Sequence, residues 1–129
     1  MNDQVVLVNE YDNEIGLMQK LEVHQKGLLH RAFSVFVFNS KGELLLQQRA
    51  LGKYHSEGLW SNTCCSHPLP DEETHDAAVR RLNEEMGIST DLHFLYSFIY
   101  NAKLGNGLTE HELDHTFWGI TDELPVINT

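Results

Sequence analysis

Between Thr74 and Met86 the chain carries its one clear helical pattern, and every other patterned stretch is extended in character. Ala78, Val79, Leu82 and Met86 recur at steps of one, three and four, which gathers them into a single buried stripe. Thr74 stands at the N-cap position, where a side-chain oxygen can accept from the first turn, and Gly87 follows the last turn, where a left-handed residue closes a helix. Arg80 with Glu84 and Arg81 with Glu85 are four apart and pair along the polar side. Around this helix, β-branched and aromatic runs read as strands: Gln4 to Val8, Ile15 to Lys20, His30 to Phe38, Glu43 to Gln48, Trp60 to His67, Leu92 to Tyr100 and Glu110 to Ile120. The first two form an opening hairpin, and Asn39-Ser40-Lys41-Gly42 turns His30–Phe38 onto Glu43–Gln48 as a central hairpin. Arg49 to Gly58 reads as a loop. The fold class is α+β, a mixed and mostly antiparallel sheet with one helix packed on it.

A chain of 129 residues without a repeat or linker is one domain, residues 1–129, long enough to bury a core without staples. Its 19 acidic against 9 basic residues give a formal charge of −10, which disfavours nucleic acid and anionic lipid as partners. No apolar run reaches membrane length, and the short run Val5 to Val8 is no secretory leader. Cys64 and Cys65 are adjacent and too close for an ordinary disulfide, so they read as free thiols of a reducing compartment, the cytoplasm.

Eight histidines stand out, because imidazole ligates metals. Glu110 and Glu112 are two apart on a strand, so both carboxylates project from one face, and Asp114 continues the row. A solvated strand face accounts for such a row, but a divalent cation would relieve its repulsion. Imidazoles joined to carboxylates suit Mn²⁺, Zn²⁺ or Fe²⁺ better than Ca²⁺. His24, His30 and His67 lie in or beside extended segments and can converge only through the fold, whereas His55, His75, His93, His111 and His115 read as ordinary surface or core groups.

Glu72, Arg80, Arg81, Leu82, Glu84, Glu85, Met86, Gly87 and Ile88 resemble the Nudix box, a loop and helix that present glutamates to a diphosphate-bound metal. Ser66 occupies the first glycine position, and Arg81 stands where the glutamate after the arginine belongs. Trp60-Ser61-Asn62-Thr63-Cys64-Cys65-Ser66-His67-Pro68, His30-Arg31-Ala32-Phe33-Ser34-Val35 and Glu110-His111-Glu112 together resemble type I isopentenyl-diphosphate isomerase, a Nudix-fold family, over residue 4 to the end.

The resemblance implies a reversible allylic proton shift between isopentenyl and dimethylallyl diphosphate. It implies that His24, His30, His67, Glu110 and Glu112 hold one divalent ion, Mn²⁺ or Zn²⁺. Cys65 and Glu112 would be the acid–base pair on opposite faces of the substrate, with Tyr100 assisting Glu112. Glu85, with the carbonyl of Cys65, would hold Mg²⁺ on the diphosphate, and Lys20, Arg49, Lys53 and Arg81 would clamp that group. Trp60 and Phe33 are candidates to face a carbocation. An allylic isomerase is the first reading; a Nudix-type diphosphohydrolase, which would want a glutamate at position 81, and a catalytically incompetent metal-binding fragment are the alternatives. The resemblance also implies a further strand and helices beyond this chain. One sheet face is therefore expected to lie uncovered, with self-association through the C-terminal strands, Thr116 to Ile120 and the tail Leu124 to Ile127.

Overall fold

The computed structural model describes residues 3–48 and 60–126. The strands are β1 (Gln4–Val8), β2 (Glu14–Gln19), β3 (His30–Phe38), β4 (Gln47–Gln48), β5 (Trp60–Ser61), β6 (Cys64–Ser66), β7 (His93–Lys103) and β8 (Thr109–Ile120), with helices α1 (Lys20–Lys26) and α2 (Thr74–Met86). The main sheet has six strands in the order β2-β1-β3-β8-β7, with β6 also on β3. At its centre β3 and β8 run parallel, in register from His30 beside Glu112 to Phe38 beside Ile120. On the other side of β3, β1 meets only its start, at His30, and β6 pairs farther along, setting Ser34 opposite Cys65.

Residue parity on β3 divides the chemistry. Phe33, Val35 and Val37 face α2 and pack with Cys64, Phe117, Ala77, Ala78, Leu82 and Met86 in the main core. Burying each large side chain there contributes about 1.5–3 kcal/mol. The helix ends on Gly87 at φ 65°, whose N–H reaches the Asn83 carbonyl. Beyond the sheet, the tail returns along this end, and the Val126 N–H donates to the Met86 carbonyl at 2.7 Å. His30 and Ser34 face the opposite side, and that face carries the site.

Three expectations are corrected. Glu43–Gln48 pairs with His30–Phe38 only at its start, where an antiparallel bridge joins Phe38 to Leu44 and the Leu45 N–H donates to the Val37 carbonyl at 2.9 Å; Gln47–Gln48 then pairs with Trp60–Ser61 in a separate two-stranded sheet. The reason is Thr63, fully buried, whose hydroxyl accepts from the Val37 N–H and donates to the Leu45 carbonyl, inserting itself where the return ladder bond between those two groups would form. Second, the chain has a further helix, α1. Its seven residues carry no side-chain N-cap and bury only Val23 and His24, too short a pattern to register as periodicity. Third, Thr116–Ile120 is no sheet edge, because β8 lies between β3 and β7. The edge belongs to β7, where Phe94, Leu95, Tyr96, Phe98 and Ile99 are all exposed.

Candidate metal centre and acid–base site

Four side chains from four segments converge on the face away from α2. One ligand atom each from His24, His30, His67 and Glu112 lies within 4.8 Å of the others. The α1 helix buries His24, β3 and β8 place His30 beside Glu112 through the parallel register, and the turn after β6 brings in His67. His30 Nε2 stands 3.2 Å from His67 Nε2 and 3.4 Å from Glu112 Oε2, and His67 Nε2 is 3.1 Å from the same oxygen.

The hydrogen bonds on the far sides of two rings decide their tautomers. His24 Nδ1 lies 2.8 Å from the Lys20 carbonyl and His30 Nδ1 lies 3.0 Å from the Leu28 carbonyl. A carbonyl can only accept, so each Nδ1 carries the hydrogen and each neutral ring turns an Nε2 lone pair inward. Metal-ligating histidines are oriented this way, the outer N–H held by a carbonyl or carboxylate. A hydrogen on His67 Nε2 can bridge to one neighbour, but a divalent cation satisfies all the inward acceptors together. Donors each about 2.1 Å from a shared ion stand roughly 3–3.5 Å apart, as those of His30, His67 and Glu112 do, with that of His24 within 4.8 Å of them. The donor set therefore fits a divalent metal.

Protonation agrees. Burial pushes the His67 imidazole down to about 4, against the pull of Glu112, and burial lowers His24 as well. Burial works to raise Glu112, but the His30 and His67 rings beside it reverse the effect and hold it well below the usual carboxylate range. Neutral imidazoles around an ionised carboxylate are the form that binds metal.

Glu110 lies outside this group of four. Burial and the charge of Glu112 raise its pKa, and the Tyr100 hydroxyl bridges the two carboxylates, donating toward Glu110 and standing 2.6 Å from Glu112 Oε1. Burial, first, and then Glu112 push the Tyr100 phenol upward, so it remains a donor. Tyr100 sits directly across from Glu112 in the β7–β8 ladder, which the sequence separation of 12 conceals.

The adjacent thiols diverge as strand alternation requires. Cys64 is fully buried in the α2 core with its sulfur 3.1 Å from Glu85 Oε2, whereas Cys65 is exposed on the metal-binding face. Loss of solvation by the surrounding protein, with Asp114 and Glu112 adding to it, pushes the Cys65 thiol up to about 11. Ser34 Oγ lies 3.6 Å from Cys65 Sγ and donates to Asp114 Oδ2 at 2.8 Å. Asp114, which continues the Glu110 and Glu112 row, is buried, and burial pushes its carboxyl up to about 7. Neither Ser34 nor the burial of Asp114 was legible beforehand; the even-numbered parity that Ser34 shares with His30 was the available signal.

Glu85 stands on the α2 side of β6, held by Arg81 Nη2 at 3.0 Å and Gln47 Nε2 at 3.3 Å. Arg81 also binds Glu84 at 2.8 Å. Lys20, at the start of α1, is near enough for its charge to lower His24 and His67 further. Arg49, Lys53 and His55 lie outside the described residues, as does the side chain of Trp60. Phe33 is corrected: it faces the α2 core and not this site. Among the remaining histidines, His75 and His111 bind backbone carbonyls of Leu92 and Gly27, and His115 lies 2.9 Å from Asp12.

Residues 28–128 match the family described as NUDIX domain. Isopentenyl-diphosphate Delta-isomerase 2 of Aromatoleum aromaticum is 59% identical over 128 residues, which are 99% of this chain and 68% of that protein. The Isopentenyl-diphosphate Delta-isomerase of Pectobacterium atrosepticum is 58% identical over 125 residues, 97% of this chain and 70% of its own. Among solved structures, a Deinococcus radiodurans crystal structure superposes with a TM-score of 0.77 at 20% identity, over 97% of this chain and 76% of that one, a likeness of fold.

Proposed function

The chain belongs to the Nudix family and, within it, to the isopentenyl-diphosphate isomerases, and from that premise we propose that it interconverts isopentenyl and dimethylallyl diphosphate. The observation that carries the reading is the placement of Cys65 and of the Glu112–Tyr100 pair on one sheet face beside a cluster fitted to a divalent ion.

The reaction adds a proton to the terminal alkene carbon, forming a tertiary cation, and removes one from the carbon nearer the diphosphate. Cys65 and Glu112 are the acid–base pair, one on each side of the substrate, and each must lie within hydrogen-bonding reach of its carbon. Tyr100 holds the reacting carboxylate in place from across the β7–β8 ladder, its hydroxyl 2.6 Å from Glu112 Oε1, and its hydrogen turns to that carboxylate when Glu110 turns away. The cation must not meet water, so solvent has to be excluded while it exists. The exposed rings of Tyr96 and Phe98, lying in series with Tyr100 at centroid separations of 5.7 Å, extend an aromatic surface from the site that a cation can face.

His24, His30, His67 and Glu112 hold the divalent ion, Mn²⁺ or Zn²⁺, and Glu110 completes the set through a rotation away from Tyr100. The bound ion supplies a fixed positive charge that organises the carboxylates. Glu85 with the Cys65 carbonyl takes Mg²⁺ together with the diphosphate, and Lys20, Arg49, Lys53 and Arg81 neutralise that group. Arg81 replaces a carboxylate that a hydrolase of this fold would place around its metals, which favours isomerisation over hydrolysis. Free thiols suit the reducing cytoplasm, and among the described residues no helix is long and apolar enough to cross a membrane.

Proton NMR of isopentenyl diphosphate incubated with the protein in D₂O, with and without a chelator, tests the reading. Deuterium entering the new methyl group, and lost on chelation, is the expected result. Release of free phosphate would identify a hydrolase, and an unchanged spectrum would identify a catalytically incompetent domain.

A further inference from the structure

We propose that Ser34, its hydroxyl fixed by Asp114, is the positioning residue that aims the Cys65 thiol; the inference rests on the role given to Cys65 above. The three side chains form a row across β6, β3 and β8 on the metal-binding face. Ser34 is the direct cross-strand partner of Cys65, with sulfur and oxygen 3.6 Å apart. Ser34 and Asp114 are 80 residues apart in sequence and hydrogen-bonded at 2.8 Å.

A hydroxyl has one hydrogen. Ser34 spends it on Asp114 Oδ2, so it presents only lone pairs to Cys65, and the thiol hydrogen is the donor in that contact. The S–H bond of a lone cysteine rotates among several directions. Here Ser34 favours one direction, with Asn62 as the other side-chain hydrogen-bond partner of the sulfur, and the sulfur is held beside its neighbour on β3. Orientation of this kind is what a proton transfer to or from carbon demands, because the reacting atoms must be in line.

The burial of Asp114 supports a purpose beyond packing. It is 4% exposed, its Oδ1 has no hydrogen-bond partner among the described residues, and its one described hydrogen bond is with Ser34. A carboxyl buried with half its acceptors unmet is costly to the fold. It lies outside the group of ligand atoms that fits the metal. What it does is direct the Ser34 hydroxyl.

The test compares kcat, KM for isopentenyl diphosphate and bound metal across the metal-loaded wild type, Cys65→Ala, Ser34→Ala, Asp114→Asn and the Ser34→Ala/Asp114→Asn double variant. Ser34→Ala is expected to lower kcat by about ten- to a hundredfold, the scale on which misorientation acts, with KM and metal content unchanged. Asp114→Asn should lower kcat in the same direction. The double variant should be no worse than Ser34→Ala, because Asp114 positions the thiol through Ser34. Full kcat in Ser34→Ala, losses that multiply in the double variant, or a loss of kcat that follows KM or metal content would each overturn the proposal. Full turnover by Cys65→Ala would instead overturn the role of the thiol and this inference with it, whereas an inactive Cys65→Ala beside a fully active Ser34→Ala overturns the inference alone.

Discussion

His30 Nε2 and His67 Nε2 stand 3.2 Å apart although 37 positions separate them in sequence. Two imidazole nitrogens at this distance, with Glu112 beside both, fit around a shared divalent ion. Purified protein should therefore carry about one tightly bound divalent ion per chain, and His67→Ala should lose it. Because a ligand that binds only the folded state adds to stability, chelation should also lower Tm in the wild type and do so far less in His67→Ala. Equal metal content in the two proteins would remove the site.

The two thiols should differ sharply toward a haloacetamide. Cys64 is sealed in the core and its thiol is pushed far upward by burial and by Glu85, whereas Cys65 is exposed and pushed up to about 11. Thiolate is the reactive form, so labelling of Cys65 should climb by about tenfold per pH unit below that value. Bound diphosphate substrate should slow it. Peptide mapping checks the site, and Cys64→Ala should keep turnover while Cys65→Ala loses it.

Thr63 gives a stability prediction independent of catalysis. Its hydroxyl is the bridge between the Val37 N–H and the Leu45 carbonyl, both inside the fold. Thr63→Val keeps the shape and removes both bonds, leaving buried backbone groups unmet at about 1–3 kcal/mol. Denaturant unfolding measures this; a change within error would mean that water replaces the hydroxyl there.

The Glu72–Arg80 pair should make stability depend on acid. Arg80 donates to both Glu72 oxygens, at 2.8 and 2.9 Å, and this holds the Glu72 carboxyl below its usual range. A carboxyl whose folded pKa lies below its unfolded one contributes stability above the unfolded value, and that contribution is lost as pH falls through the folded value. Glu72→Gln should accordingly cost about 1 kcal/mol at pH 7. The gap from wild type should close in acid. A gap that stays constant down to pH 2 would show that the pair does not set it.

The β7 edge should drive association of the 129-residue chain. Eleven residues long and bearing exposed Phe94, Leu95, Tyr96, Phe98 and Ile99, this strand offers apolar surface together with backbone that no other strand among the described residues pairs. Sedimentation should show mass rising with concentration, and Ile99→Lys should suppress it. A chain that stays monomeric at high concentration would show that the edge is protected in solution.

Local pattern determined those features of this protein that depend on neighbours a few residues apart. The stripe Ala78, Val79, Leu82 and Met86 with Gly87 behind it specifies α2, because helix periodicity and a left-handed C-cap are short-range properties. Alternation sends Cys64 and Cys65 to opposite faces for the same reason. Residue types and motif order pointed to the ligands and to the family. Tertiary structure decided which of those groups meet. The parallel register of β3 with β8 sets His30 beside Glu112, and α1 carries His24 to them, too short a helix to announce itself. The same register brings Ser34 to Asp114. Register is a property of two strands at once: a shift by one residue would turn every one of these side chains to the other face, and no spacing within either strand encodes where its partner begins.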